Sequence, residues 1–273
     1  MLRLLPRSYG IWTDTPNLHR KRSLAKAWAR DRWLRWIFAG ATHLLATGTP
    51  GVNTLVQMGA SQSRLVNFPF YIDLSAYKRE NAEIEEKDRI VRFLSVGRLD
   101  NFYKGHDLAI RALAKASTRC STPFQYYIAG SGTDQERLRL LVKELDLEKT
   151  VQFVGWLEPD DLRCLYRASD VLIHPSPTHD PFPNAILEAM AASLVVLGSD
   201  MSGSAVDRIQ HGINGFLHPA GDVHELSEQI TFLLHDRDRI REIGRRARST
   251  AEQWPLERAV TTIQKLASEE FIH

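Results

Sequence analysis

Only two cysteines, Cys120 and Cys164, occur in 273 residues. That number excludes a disulfide framework and points to a reducing compartment, with buried structural thiols expected at both positions. Charge of one sign is also scarce. Thirty-five lysines and arginines face 33 acids, a formal net charge of +2. So small an excess gives no electrostatic ground for a nucleic-acid partner. Long hydrophobic runs are missing. The longest, residues 185–198, is interrupted by Glu188 and is too short to span a bilayer. The opening Met1-Leu2-Arg3-Leu4-Leu5-Pro6-Arg7 is shorter than a signal core and carries no small-residue cleavage site. No internal repeat or low-complexity tract is visible. These absences predict a cytoplasmic chain, or one peripheral at the inner face of the membrane. What is present is ordinary for a globular protein, with 43% hydrophobic and 25% charged residues. The length allows one large domain or two small ones.

From residue 90 onward, apolar strand-like runs alternate with amphipathic helical ones. Strands are predicted at 90–96, 124–129, 151–154, 171–173 and 194–197, and helices at 107–116, 135–145, 160–168 and 184–192. This β-α alternation predicts a doubly wound parallel sheet, a Rossmann-like α/β domain. Right-handed crossovers then place every strand's C-terminal end on one rim, where ligands bind. The first 80 residues offer less: strands at 10–13, 43–46 and 64–68, and helices at 23–38 and 50–58. That is too little for a second full sheet and predicts a partial Rossmann-like domain. The expected divisions are a partial domain at 1–72, a linker at 73–89, a ligand-binding domain at 90–253 and a return helix at 254–273.

Four strand-end loops hold residues suited to an anionic sugar nucleotide. In the first, Gly97 permits a tight turn, and Arg98 and Lys104 can reach one diphosphate. Lys104 is expected at a helix start, where N–H groups favour anions. The bland alternative is two solvated surface cations. In the second, Gly130 and Gly132 allow either close ligand approach or a simple tight turn. In the third, Trp156, followed by Leu157, could pack near a nucleobase or fill the core or rim. The fourth is the longest, His174-Pro175-Ser176-Pro177-Thr178-His179-Asp180-Pro181-Phe182-Pro183-Asn184 and the helix after it. Asp180 lies in the loop and Glu188 is placed two turns into that helix. Paired carboxylates accept hydrogen bonds from vicinal hydroxyls, and so suit a sugar and a ribose. The alternative is that Asp180 caps the helix and Glu188 is a buried structural acid, which would need a partner. His174, His179 and Asp180 match no standard metal spacing, so no metal is expected.

These runs together resemble glycosyltransferase family 4, the group 1 glycosyltransferases of the GT-B fold. Val96-Gly97-Arg98-Leu99, Lys104-Gly105, Ala129-Gly130-Ser131-Gly132, Val154-Gly155, Asp180 to Glu188 and Gly212-Ile213-Asn214-Gly215-Phe216-Leu217 carry the likeness, in order and spacing. The resemblance implies two Rossmann-like domains and a retaining transfer from a nucleotide-sugar donor to a glycan or lipid-linked acceptor, without a metal or other cofactor. It implies Arg98 and Lys104 on the diphosphate, Glu188 on the ribose and Asp180 on the transferred sugar. Pro183, Asn184, Ala185, Ile186 and Leu187 would support sugar and phosphate through the backbone. A split or truncated donor-binding subunit, completed by a partner chain that supplies the first domain, is one alternative. A nucleotide-sugar epimerase of the same architecture is another. The chain departs from the family at Asp180-Pro181-Phe182-Pro183, where Glu-Gly-Phe-Gly is usual. Ser193 and Val195 replace a Gly and a Pro, and Asp207 stands where Glu is common.

Residues 19–38 are dense in cations and tryptophan. Leu24, Trp28, Leu34, Ile37 and Phe38 are expected to share one broad apolar face, with Arg22, Lys26 and Arg30 on another side. Such a helix either lies on an anionic membrane or packs on its own domain with a solvated basic face.

Overall fold

The structure is a computed structural model that describes residues 9–16, 23–79 and 90–270. The chain divides into two compact units, Met1–Tyr71 with Leu256–His273, and Ile72–Pro255. Among the described residues no helix is long and apolar enough to cross a membrane.

In the first unit, β1 (Gly10–Thr13), β2 (His43–Ala46) and β3 (Leu65–Asn67) form a parallel sheet in that order. Two helices, α1 (Leu24–Gly40) and α2 (Gly48–Gln57), connect the strands. The core here is small, built from Phe38, Ala41, Leu44, Ala46, Leu55, Met58 and Ala60. The expected continuous apolar face of α1 does not exist. Leu34, Ile37 and Phe38 pack on this core, but Leu24 and Trp28 stand exposed, with Trp33 and Trp36 beside them. Length explains the split. A 17-residue helix runs about 25 Å, whereas four-residue strands span about 13 Å, so the first turns of α1 outrun the sheet. Residues 19–22, including Arg22, lie outside the described set. The last helix, α11 (Leu256–Glu270), belongs to this unit.

The second unit holds six parallel strands, β4 (Val91–Val96), β5 (Phe124–Ala129), β6 (Val151–Gly155), β7 (Val171–His174), β8 (Val195–Ser199) and β9 (Phe216–His218). Their order is β6-β5-β4-β7-β8-β9. The chain first winds outward from β4 through β5 to β6, then returns to β7 and winds the other way. The order therefore reverses between β4 and β7, where the two loops leaving the strands diverge and open a crevice.

Helices cover both faces. The short α3 (Asn101–Lys104), α4 (His106–Ser117), α5 (Gln135–Glu144) and α6 (Pro159–Ala168) precede β7. After it come α7 (Asn184–Ala191), α8 (Gly203–Arg208), α9 (Val223–His235) and α10 (Arg237–Ala251). Helix α4 shows the local logic. Ala109, Ile110, Ala112, Leu113 and Ala116 recur at helical spacing and are buried, while Asp107 and Lys115 complement the helix dipole at its two ends. One core gathers Phe93, Leu113, Tyr126, Ile173, Leu197 and Leu233 on one side of the sheet. The other gathers Leu94, Tyr166, Leu172, Leu187, Met190 and Val196. Strand alternation divides Phe93 from Leu94 in this way.

The expected linker begins inside the second unit. Asp73 accepts a hydrogen bond from the Ser75 N–H at the start of a helical turn, Leu74–Tyr77. Tyr77 is buried, Arg167 donates to the Ala76 carbonyl and Arg248 to the Leu74 carbonyl. Polarity read this segment as a spacer, but Ile72, Leu74 and Tyr77 supply an apolar side that packs on the second core. Residues 80–89 lie outside the described set. Cys120 is buried as expected of a structural thiol, whereas Cys164 is exposed on α6.

Candidate functional site

Buried hydroxyls tie the strand ends together before any loop begins. The Tyr126 hydroxyl donates to Ser95 Oγ at 2.8 Å, and Ser95 Oγ donates to the Ile173 carbonyl at 2.6 Å. This chain links β5, β4 and β7 just below the crevice. Above it, the loops after β4 and β5 lie almost in contact. The Gly97 N–H reaches the Ala129 carbonyl at 3.0 Å, and the Leu99 N–H reaches that of Ser131 at 2.9 Å. A Cβ on Gly130 would stand 1.9 Å from the Gly97 oxygen, and one on Gly132 would stand 2.4 Å from the Leu99 oxygen. These glycines serve the approach of one loop to another, a reason that neither of the two sequence readings contained.

The loops after β4 and β7 meet in the same way. Gly105 has a φ of +65°, and a Cβ there would lie 2.5 Å from the Pro175 oxygen. Lys104 is thereby brought to Asp180, with Nζ donating to Oδ2 at 2.6 Å. Lys104 ends the single turn of α3 rather than starting a long helix. The same Asp180 oxygen accepts from His174 Nε2 at 2.9 Å and from Ser176 Oγ at 3.0 Å. Burial raises the Asp180 carboxyl, but the hydrogen bond and charge of His174, with those of Lys104, outweigh it and hold Asp180 well below the usual carboxylate range.

Arg98 is exposed, with its guanidinium 6.0 Å from the Tyr103 ring. Its loop is braced from beneath by His106, whose Nε2 lies 3.2 Å from the Arg98 carbonyl. A carbonyl only accepts, so Nε2 carries the proton. Burial pushes the His106 pKa down to about 4, which keeps the ring neutral at physiological pH. No motif or spacing marks out this histidine in the sequence.

Asp180 does not cap α7; Pro183 occupies that position and offers no side-chain bond. The first-turn N–H groups of the helix therefore have neither an intrahelical partner nor a side-chain cap. Asn184 is exposed and Ala185 half-buried, while the Ile186 and Leu187 side chains are fully buried. Only the backbone of the last two can meet a ligand. The Asp180-Pro181-Phe182-Pro183 loop is anchored to the start of α8. The Gly203 N–H donates to the Asp180 carbonyl at 3.0 Å, and the Asp180 N–H to that of Met201 at 3.1 Å.

Glu188 is the fifth residue of α7, one turn in rather than two. Its required partner is Tyr166 of α6, whose hydroxyl donates to Oε2 at 2.7 Å. The Tyr77 hydroxyl faces the same carboxylate and lowers its pKa. Burial raises the Glu188 carboxyl, and the two tyrosines only partly offset it. Neither tyrosine stands out in the sequence, because Tyr77 lies in a polar, charged segment and Tyr166 at an ordinary inward position of a short helix. Trp156 is 67% exposed beyond β6, which removes the core-filling reading, while Leu157 packs against the second core. A separate cavity of about 650 Å³, lined by Val91, Asp170, Ser193 and Arg245 among others, opens at the opposite rim, where β4, β7 and β8 begin.

The model of the family described as glycosyl transferases group 1 matches residues 77–250, from the Tyr77 turn to the end of α10. The chain belongs to the group 1 glycosyltransferases. A Haemophilus influenzae protein described as an uncharacterized glycosyltransferase is 27% identical over 183 residues, 67% of this chain and 49% of that relative. The amylovoran biosynthesis glycosyltransferase AmsK of Erwinia amylovora is 33% identical over 144 residues, 50% of this chain and 34% of its own length. This chain thus spans half or less of these curated relatives. The solved structure of Anabaena HepE in complex with UDP superposes with a TM-score of 0.83 at 22% identity, covering 96% of this chain and 72% of HepE. That likeness shows the GT-B fold of the family, with the six-stranded and three-stranded parallel sheets described above.

Proposed function

We propose that the crevice between β4 and β7 holds a nucleotide sugar, and that the chain acts as the donor-binding part of a retaining glycosyltransferase. One observation carries this reading. The Lys104–Asp180 pair stands where the strand order reverses, three residues ahead of the α7 N-cap, with Glu188 one turn beyond. A cation, an uncapped helix N-terminus and a desolvated carboxylate match a diphosphate followed by a diol. HepE, alike in fold, was solved with UDP, which supports the same class of ligand.

On this reading Arg98 and Lys104 neutralise diphosphate oxygens, helped by the Gly97 turn and by the α7 backbone from Asn184 to Leu187. Asp180 Oδ2 is saturated by three donors, which leaves Oδ1 to accept from a hydroxyl of the transferred sugar. Glu188 accepts from the ribose hydroxyls. Trp156 and Leu157 line the base side, and Gly130 and Gly132 keep the Arg98 loop in place. In the transfer, the bond from the sugar's anomeric carbon to the β-phosphate oxygen breaks as an acceptor hydroxyl oxygen bonds to that carbon from the same face. The acceptor proton passes to the departing phosphate. Arg98, Lys104 and the helix N-terminus stabilise the charge that develops there. No protein nucleophile is needed, and configuration is retained. The acceptor is a glycan or a lipid-linked molecule, in keeping with the amylovoran biosynthesis named for AmsK.

Calorimetric titration with UDP, GDP, UDP-glucose and GDP-mannose, without added metal, tests the proposal. Binding of one nucleotide and its sugar conjugate is expected. A folded chain that binds none of the four overturns it.

A further inference from the structure

Glu188 is half-buried on α7, and tyrosines approach it from two other elements. Tyr166 is fully buried on α6, and its hydroxyl donates to Glu188 Oε2 at 2.7 Å. Tyr77 is buried on the turn ahead of β4, and its hydroxyl faces the same carboxylate and lowers its pKa. The two rings stand edge to face with centroids 5.7 Å apart. The other charged group facing this cluster is Arg163 of α6, which lowers the pKa of Glu188 and pairs with Asp160.

Phenylalanine would fill both positions equally well, so packing does not explain the hydroxyls. A carboxylate offers about four acceptor sites. Tyr166 uses one of them and the Tyr77 hydroxyl stands beside the carboxylate, which leaves at least the two that a vicinal diol requires. We infer that Tyr166 and Tyr77 are positioning residues that fix the Glu188 carboxylate so that its free acceptor sites meet the two ribose hydroxyls of the nucleotide. This inference rests on the donor-site reading above. The tyrosines act through orientation and charge. Tyr166 comes from α6 and Tyr77 from the turn before β4, so the carboxylate is clamped from two elements outside its own helix. Their hydroxyls also stabilise the ionised form that accepts the diol, against a burial that raises the Glu188 carboxyl.

Calorimetry on the full chain with UDP, GDP and their 2′-deoxy counterparts tests this, between pH 5 and 8, for wild type, Tyr166→Phe and Tyr77→Phe. Wild type is expected to prefer the ribose form and to lose that preference as Glu188 protonates at low pH. Each variant should bind the ribose form about five- to tenfold more weakly. Affinity for the deoxy form should be unchanged, and the acid limb should move to higher pH, because Glu188 has lost a donor to its anion. A merely structural role would weaken both nucleotides alike and leave the limb in place. That result, or unchanged behaviour in both variants, overturns the inference while wild-type binding still stands. Should Tyr166→Phe unfold, Tyr77→Phe decides by the same criteria. Absence of any binding by wild type removes the donor-site reading instead, and this inference with it.

Discussion

Gly130→Ala is expected to destabilise the second unit by about 3 to 5 kcal/mol, and the figure can be worked from the structure. The new Cβ falls 1.9 Å from the Gly97 oxygen and 2.9 Å from its carbonyl carbon, whereas real Cβ contacts stay beyond 3.0 Å. Both atoms are backbone, so no side chain can swing aside. Gly97 must retreat by about 1 Å, and overpacking of this kind costs about 1–3 kcal/mol. The φ of +140° adds about 1–3 kcal/mol of backbone strain for any residue with a Cβ. The hydrogen bonds from Gly97 and Leu99 to Ala129 and Ser131 are stretched as the loops separate, at about 1 kcal/mol each. These costs overlap, which is why their full sum is not expected. Gly155→Ala provides the control. Its φ of +75° is also left-handed, but nothing lies within 4 Å of the added methyl, so about 1–2 kcal/mol is expected. Urea unfolding followed by circular dichroism measures both variants. A difference of about 1–4 kcal/mol between them is expected, together with weaker nucleotide binding in Gly130→Ala because the Arg98 loop is displaced. Equal midpoints for the two variants would refute the close-approach argument.

Lys104→Ala should weaken UDP more than uridine, since the proposed function sets its Nζ on the diphosphate, and should cost about 1–3 kcal/mol of stability through the donor lost to Asp180; equal weakening of both ligands counts against the assignment. Glu188→Ala should abolish nucleotide binding with little loss of fold, measured by calorimetry beside thermal unfolding, and retained affinity removes the ribose role. Asp180 has a carboxyl held below its ordinary value of 3.8, so its stabilising contribution is complete above that pH and is lost as the pH falls toward the folded value. Acid unfolding of Asp180→Asn should therefore be flatter below about pH 4 than that of wild type, and identical acid limbs would show that the pair contributes nothing. Ser193 has a φ of +62°, the left-handed region, where the family usually has Gly. Ser193→Gly should raise the stability of the unit by about 0.5–1 kcal/mol in urea titration, and a loss would mean that the serine side chain is compensated elsewhere.

The alternation of apolar runs after residue 90 made the parallel sheet legible, and the strand at 124–129 falls where its spacing puts it. Beyond residue 200 the reading stops short. The three-residue β9 is too brief for period-2 alternation to register, and α8 is a six-residue turn. Helix α10 is strongly amphipathic, but its many arginines hide the five buried positions from a reading for apolar runs. Among the candidate site residues, Lys104, Asp180 and Glu188 stand out by type and spacing. Their partners are not. His174 and Ser176 approach Asp180 only because the β7 loop folds back on itself, and Tyr166 reaches Glu188 across 22 positions.

By itself the sequence determined the fold class, the family and the residue types available at the rim, because those depend on local periodicity and on chemistry carried within single loops. Only the tertiary structure decided which of those residues meet. The order reversal between β4 and β7 brings Lys104 to Asp180 over 76 positions, and the packing of α6 gives Glu188 its donor, Tyr166. It also assigned Gly130 and Gly132 to contact between loops and split the expected face of α1. Such contacts are set by how strands are ordered and how far helices outrun them, and neither quantity is written in any local stretch of the chain.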